Sequence, residues 1–157
     1  MTQSEQKYEQ QITPEELVET TEKSGIFQLL GIKLDISQPG SLKVQINVDD
    51  RLFHAQQIVH GGVIFTLADT SMALALLAAV PQQTRVGTIE AKINFLHPVR
   101  SGELSAEAEI IHLGHSTAVM EATVHNTHEN ERLAVARVMG TFNLGRLKPV
   151  ENSEKSS

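Results

Sequence analysis

The most apolar stretch of the chain runs from His60 to Val80, and apolar residues occupy nearly every position in it. Two glycines open the stretch, and a single carboxylate, Asp69, interrupts it beside a few hydroxyl residues. A helix that is hydrophobic on all sides is a buried one, so the pattern predicts a buried helix of about five turns. A membrane span of about 20 residues is the alternative, and the charge in its middle disfavours it.

Before this helix, the sequence predicts a short helical region and a β-hairpin. Thr13, Pro14 and Glu16 form a capping box with proline in the first turn, which predicts a helix that ends near Ser24-Gly25. A further short turn is expected over 26–30. From 32 to 48 apolar and polar residues alternate on either side of Pro39-Gly40, which predicts a hairpin.

After the helix, apolar and polar residues alternate in a series of strands. We expect strands over about 85–97, from 104 to 110, over 117–126 and over 132–144. In the first of these, alternation assigns Thr88 to the outer face, and it assigns four apolar residues to the core: Ile89, Ala91, Ile93 and Phe95. The predicted fold class is therefore α+β, with five to six antiparallel strands around one long central helix.

Composition narrows the classes of function. The 157 residues carry a net charge of −6, which argues against a nucleic-acid partner, and they include no cysteine for disulfides or thiolate chemistry. The histidines are not spaced as metal ligands, so neither a metal nor a cofactor is expected. We predict a single domain over 13–146 with disordered tails at 1–12 and 147–157. Without a secretion signal or membrane segment, a cytoplasmic location is expected.

The segment HGGVIFTLADT, in which Asp69 follows His60 by nine residues, resembles the motif of hotdog-fold acyl-CoA thioesterases. The PaaI-like branch, named for phenylacetate degradation, is the most similar. The resemblance extends from about Leu29 to Leu144 and implies a hotdog fold. It also implies hydrolysis of acyl-CoA thioesters to the free acid and CoA.

The double glycine suggests where negative charge would be stabilised. Free N–H groups and the macrodipole at a helix N-terminus favour an anion, and glycine lets a ligand approach the backbone. Gly61, with Gly62 beside it, is therefore a candidate donor to the oxyanion of a thioester under attack. The alternative is that both glycines only relieve crowding where the helix meets the sheet.

Asp69 is the candidate for the chemical step, either as a general base toward water or as a nucleophile. Alternatively, it is exposed at a subunit boundary or paired with a neighbouring hydroxyl. Asp69 lies eight residues beyond Gly61, or about 12 Å along the helix. Since both groups must converge within about 3 Å of the reacting atoms, Gly61 of one subunit would work with Asp69 of another. We therefore expect a homodimer with composite sites, as the resemblance also implies, and a dimer of dimers.

Three further residues belong to the predicted site. Thr88 stands where related thioesterases often carry a Ser or Thr that orients the water or the carboxylate, although a bulge, or access at the start of the strand, would be needed to bring it inward. His54 stands where many PaaI-like proteins have Asn, and a neutral imidazole could donate a hydrogen bond in its place. His60 is expected to fix the junction of loop and helix beside the substrate. Thr88 as a surface residue and His54 as a loop residue remain the alternatives.

The remaining candidates concern the two ends of the substrate. Met72 is expected to line a tunnel for the acyl group. The phosphates of CoA need backbone donors or cations, and the candidates are Gly114, His115, Ser116, Lys92, Arg100, Arg137 and Arg146. Two other functions stay open. One is a hotdog hydratase or dehydratase that uses His54 and Asp69, and the other is a hotdog protein that binds acyl-CoA without turnover.

Overall fold

The computed structural model describes residues 11–38 and 42–146. Two short helices come first, followed by two short strands, a 3-10 turn, one long helix and four long strands. In chain order they are α1 (Pro14–Thr21), α2 (Gly25–Leu30), β1 (Lys33–Asp35), β2 (Lys43–Asn47), the 3-10 turn (Asp50–Leu52), α3 (Gly61–Ala79), β3 (Thr84–Phe95), β4 (Glu103–Leu113), β5 (Thr117–His128) and β6 (Glu131–Arg146).

The strands form one antiparallel sheet in the order β1-β2-β4-β5-β6-β3. The predicted class, α+β with five to six antiparallel strands and one long helix, is confirmed. The two edges of this sheet differ, because β1 has 3 residues and β3 has 12. A long open edge offers unpaired backbone groups to another chain.

Helix α3 packs across the sheet, but its own chain covers only one side of it. Its buried side contains seven residues: Ile64, Leu67, Ala68, Ser71, Met72, Leu74 and Leu76. The opposite side is partly exposed and forms what we call the open stripe: Thr66, Asp69, Thr70, Ala73 and Leu77. By length and composition α3 could cross a membrane, with a mean hydropathy of 1.8, but in this fold it is the core helix. The prediction of burial on every side is thus met on one side only.

The N-terminal region confirms one prediction and corrects another. The Thr13 hydroxyl accepts a hydrogen bond from the Glu16 N–H (3.2 Å), and the Glu16 carboxylate accepts one from the Thr13 N–H (2.9 Å). Gln11, which we assigned to a disordered tail, pairs with Pro81 and donates to the Ala79 carbonyl oxygen (3.3 Å). That donor satisfies a carbonyl at the end of α3, so the ordered chain includes this residue. Ile12 of the same predicted tail is partly buried against the core, whereas residues 1–10, residues 147–157 and the Pro39-Gly40 turn lie outside the described residues.

Strand β3 contains a bulge that changes which residues face the helix. Its pairing with β6 shifts register between Thr88 and Glu90. A bulge inserts one extra residue, so the alternation of faces reverses there. Val86, Ala91 and Ile93 pack against the core, whereas Ile89 is 58% exposed. The predicted inward position of Ile89 is therefore wrong, because simple alternation assumes an unbroken strand. Phe95 does face the helix, but it packs on Gly61 at the start of α3 and is 53% exposed, so its predicted place in the core is also wrong.

Candidate active site

The start of α3 is built by His60 and the two glycines after it. His60 is the N-cap residue, and its imidazole Nδ1 accepts a hydrogen bond from the Gly62 N–H at 2.9 Å. A Cβ on Gly62 would lie only 2.9 Å from the same nitrogen. Glycine at this position therefore lets the ring fold back and cap the helix, which is the junction role expected of His60.

Gly61 is the first residue of α3 and lies against an aromatic ring. A Cβ on Gly61 would lie 2.9 Å from Cζ of Phe95, so a side chain there would displace the ring. Among the hydrogen bonds formed by the described residues, none uses the Gly61 N–H. This donor is thus available at the positive end of the helix dipole, where an anion is favoured.

A cavity of about 370 Å³ adjoins this helix start, and we call it the N-terminal cavity. Both Gly61 and His54 line it, together with mostly apolar side chains. The His54 Nδ1 accepts from the Gln56 N–H at 3.1 Å, so a neutral ring carries its proton on Nε2. His54 is therefore a hydrogen-bond donor in the same cavity as the Gly61 backbone. Its ring also meets His60 edge to face, with centroids 6.2 Å apart.

The carboxylate in the middle of α3 has a defined partner. The Thr88 hydroxyl donates a hydrogen bond to Oδ1 of Asp69 at 2.8 Å. The bulge in β3 makes this contact possible, since it keeps Thr88 on the helix side of the strand. A carboxylate can accept several hydrogen bonds, so one hydroxyl fixes its orientation and leaves acceptor positions for water. Asp69 is only partly buried, and it belongs to the open stripe.

One chain does not bring Asp69 and Gly61 together. Both are on the same straight helix, about 12 Å apart along its axis at about 1.5 Å per residue. Asp69 is not among the residues that line the N-terminal cavity. The structure therefore separates the predicted oxyanion donor from the predicted base, as the spacing in the sequence requires.

A second cavity, of about 440 Å³, lies at the other end of α3, and we call it the C-terminal cavity. The turn between β4 and β5 contributes Gly114, His115 and Ser116 to its lining, and the end of β6 contributes Arg146. It thus contains all three residues predicted for the CoA phosphates and one of the four candidate cations. Of the others, Arg137 is paired with the Glu121 carboxylate on the outer face of the sheet.

Met72 does not fit the role predicted for it. It is fully buried in the core, and its Cε would lie 3.4 Å from a Cβ on Gly140 of β6. It lines neither of the two cavities at the ends of α3. Because the side chain packs the helix against the sheet, we remove Met72 from the candidate site.

The outer face of the sheet carries charged side chains away from both cavities. Arg132 donates to a Glu107 carboxylate oxygen (2.8 Å) and lies 3.0 Å from Nδ1 of His125. Burial lowers the pKa of His125, and the positive charge of Arg132 lowers it further. No cluster of three or more His, Cys, Asp or Glu able to hold a metal occurs in the described part of the chain.

Sequence reasoning missed the apolar walls of the N-terminal cavity. The largest of these residues is Phe95, which we assigned to the core although it is 53% exposed. The lengths of β3 and α3 could have indicated where Phe95 lies. At about 3.3 Å per residue, the 12 residues of β3 are long enough to return along a helix of about 27 Å. The end of this strand therefore meets the start of α3.

Comparison with known proteins places the chain in a family. Residues 56–132 match the model of the thioesterase superfamily. A protein of Pseudomonas aeruginosa named as an esterase is 36% identical over 112 residues, which cover 69% of this chain and 77% of the relative. The chain belongs to the thioesterase superfamily, and the predicted family resemblance is confirmed.

Solved structures show the same fold. A thioesterase of Haemophilus influenzae superposes with a TM-score of 0.78 at 26% identity, covering 92% of this chain and 98% of the other. A protein of Bacillus halodurans, crystallised with CoA, superposes with a TM-score of 0.73 at 25% identity, covering 84% and 87%. The predicted hotdog fold is thereby confirmed.

Proposed function

We propose that this protein hydrolyses acyl-CoA thioesters to the free acid and CoA, with Asp69 as general base and the Gly61 N–H as oxyanion donor. One observation carries the assignment of the site. Asp69, held by Thr88, lies on an uncovered face of α3, about 12 Å along the helix from the Gly61 N–H, which adjoins the N-terminal cavity. Membership of the thioesterase superfamily supplies the reaction class.

In the proposed step, water attacks the thioester carbonyl carbon while Asp69 takes one of its protons. The carbonyl oxygen becomes an oxyanion and accepts a hydrogen bond from the Gly61 N–H. When the intermediate collapses, the carbon–sulfur bond breaks and the proton on Asp69 passes to the CoA thiolate. A donor of this kind contributes about 100- to 1,000-fold to rate, and a positioned base about 100- to 10,000-fold.

The proposed site needs two subunits. The open stripe of α3 and the 12-residue edge strand β3 form adjoining uncovered surfaces, and a two-fold axis would pair each with its copy. If two α3 helices pack antiparallel about a point near residue 65, Asp69 of one lies opposite Gly61 of the other. Asp69 would then leave the solvent-exposed surface and face the reacting carbonyl. Further pairing into a dimer of dimers remains a prediction.

The same packing suggests where CoA lies. Within one subunit, the C-terminal cavity begins about 27 Å along α3 from Gly61. In the proposed dimer, the C-terminal cavity of the partner subunit would begin only about 15 Å from that Gly61. We assign the phosphates of CoA to that cavity, where Arg146 offers a cation and the N–H groups of His115 and Ser116 offer backbone donors. The Gly114 N–H already donates to the Thr117 carbonyl oxygen at 2.9 Å, so Gly114 only shapes the turn. The CoA-bound structural relative supports a CoA ester as substrate. We place the reaction in the cytoplasm, where CoA esters are found, as a further prediction.

Release of free thiol from a panel of acyl-CoAs tests the proposal. Wild type should release CoA, and Asp69→Asn should lose at least about 100-fold in rate while it still binds the ester. Asparagine keeps an oxygen that can accept from Thr88, so the variant removes the charge and leaves this contact possible. Binding without release in wild type would instead identify a non-catalytic acyl-CoA-binding protein.

A further inference from the structure

The N-terminal cavity has walls that are suited to one class of acyl group. Seven of its ten lining residues are apolar, and they come from the loop before α3, from α3 itself and from the chain around the end of β3. Val59, Ile64 and Val99 are nearly inaccessible, so they form a fixed floor. Phe95 and Leu96 are about half exposed, so they form a mouth that can adjust.

The lining of this cavity contains no carboxylate, ammonium or guanidinium group. None of the ten residues is Lys, Arg, Asp or Glu, and the polar side chains are His54 and His97. A carboxylate buried against an apolar floor without a cation is strongly disfavoured. For an acyl group with a charged distal end, the free-energy cost of desolvating the charge would therefore exceed the free energy gained from apolar contacts in this cavity.

Phe95 stands closest to the point where the acyl chain would enter. Its ring packs on Gly61, with Cζ only 2.9 Å from the place of a Cβ there. If the thioester oxygen is held by the Gly61 N–H, the first carbons of the acyl chain must pass beside this ring. The ring therefore limits the width available next to the reacting carbon.

We propose that the N-terminal cavity binds the acyl group, that it selects uncharged apolar acyl groups, and that Phe95 sets their size. This inference rests on the proposed function, and it deepens it by naming the substrate class and one residue that determines specificity. Contact of Phe95 with the substrate is through its ring, so its part is selection and not proton transfer.

Binding measurements without turnover test this directly. Affinities of free CoA, butanoyl-CoA, hexanoyl-CoA, decanoyl-CoA and glutaryl-CoA would be compared by calorimetry on Asp69→Asn and on the same protein with Phe95→Ala. We expect affinity to rise about three- to fourfold for each methylene from butanoyl to hexanoyl, and glutaryl-CoA to bind no better than CoA. Phe95→Ala should weaken hexanoyl-CoA and shift the preference toward decanoyl-CoA, whereas Phe95→Leu should change it less.

Leu133→Ala is the matched control, because Leu133 is 49% exposed on β6 and lines neither cavity. It should leave the whole profile unchanged. Glutaryl-CoA binding as tightly as hexanoyl-CoA, or a Phe95→Ala profile equal to that of the parent, would overturn the inference. Failure of the proposed function is a separate result, namely no thiol release by wild type even though acyl chain length still raises affinity.

Discussion

The start of α3 and its middle are built in different ways. At the start, neighbouring residues form the cap, since His60 caps the helix and Gly62 makes room for its ring, while Phe95 of β3 covers Gly61. In the middle, Asp69 is held by Thr88, which comes from an earlier position of the same strand and is turned inward by a bulge. One half of the proposed site is enclosed by its own chain, and the other half is open.

This difference explains the separation of the two groups along one helix. A helix dipole acts within its first turn, so an oxyanion donor belongs at the helix start. A carboxylate at the start would compete for those N–H groups, whereas Asp69 two turns later remains free to act on water. The uncovered surface around Asp69 is where a second copy would supply the missing donor. The following variants break each half in turn, beginning with the largest expected effect.

Among these variants, replacement of the proposed oxyanion donor Gly61 should have the largest effect on rate. Gly61→Pro deletes the N–H, and proline is tolerated in the first turn after the extended His60. We expect a loss of about 100- to 1,000-fold in kcat. Gly61→Ala keeps the N–H and adds only a methyl group against Phe95, so it should lose much less. Equal losses in both variants, measured by thiol release, would point to crowding and not to the donor.

Removing the hydrogen bond from Thr88 to Asp69 should have an intermediate effect on kcat. Thr88→Val preserves shape but removes the hydroxyl that holds Oδ1, and the carboxylate loses its fixed orientation. A hydrogen bond to a charged group is worth about 1.5–3 kcal/mol, so we expect kcat to fall about tenfold or more with KM little changed. Thr88→Ser should retain most of the rate. If Thr88→Val and wild type have the same kcat, the hydroxyl only satisfies a surface carboxylate.

A substitution away from both halves of the proposed site should change the pH dependence of stability and leave the activity unchanged. The pKa of His125 is lowered in the folded protein by burial and by Arg132. As pH falls through the unfolded value of about 6.5, the unfolded chain binds a proton before the folded chain does, so stability falls with pH in that range. His125→Gln should flatten this part of the pH dependence of the urea midpoint and leave thiol release unchanged. A steeper dependence in the variant would contradict the assignment.

The sequence predicted the helix start well and the middle only in part. The motif from His60 to Asp69 and the apolar run around it placed Gly61 and Asp69 correctly on one helix. The contact of Thr88 with Asp69 required a bulge, and alternation of residue types does not reveal an extra residue in a strand. Phe95 and Met72 were misplaced for a related reason, since apolar character alone does not distinguish a cavity wall from the core.

Subunit mixing tests the central claim, that Gly61 and Asp69 of different chains form one site. Asp69→Asn and Gly61→Pro would each be nearly inactive, and the two chains, carrying different tags, would be co-expressed. Hybrid dimers contain one intact site and one doubly altered site, so a random mixture should regain about a quarter of the wild-type activity. Purified hybrid dimers that regain no activity would contradict a shared site.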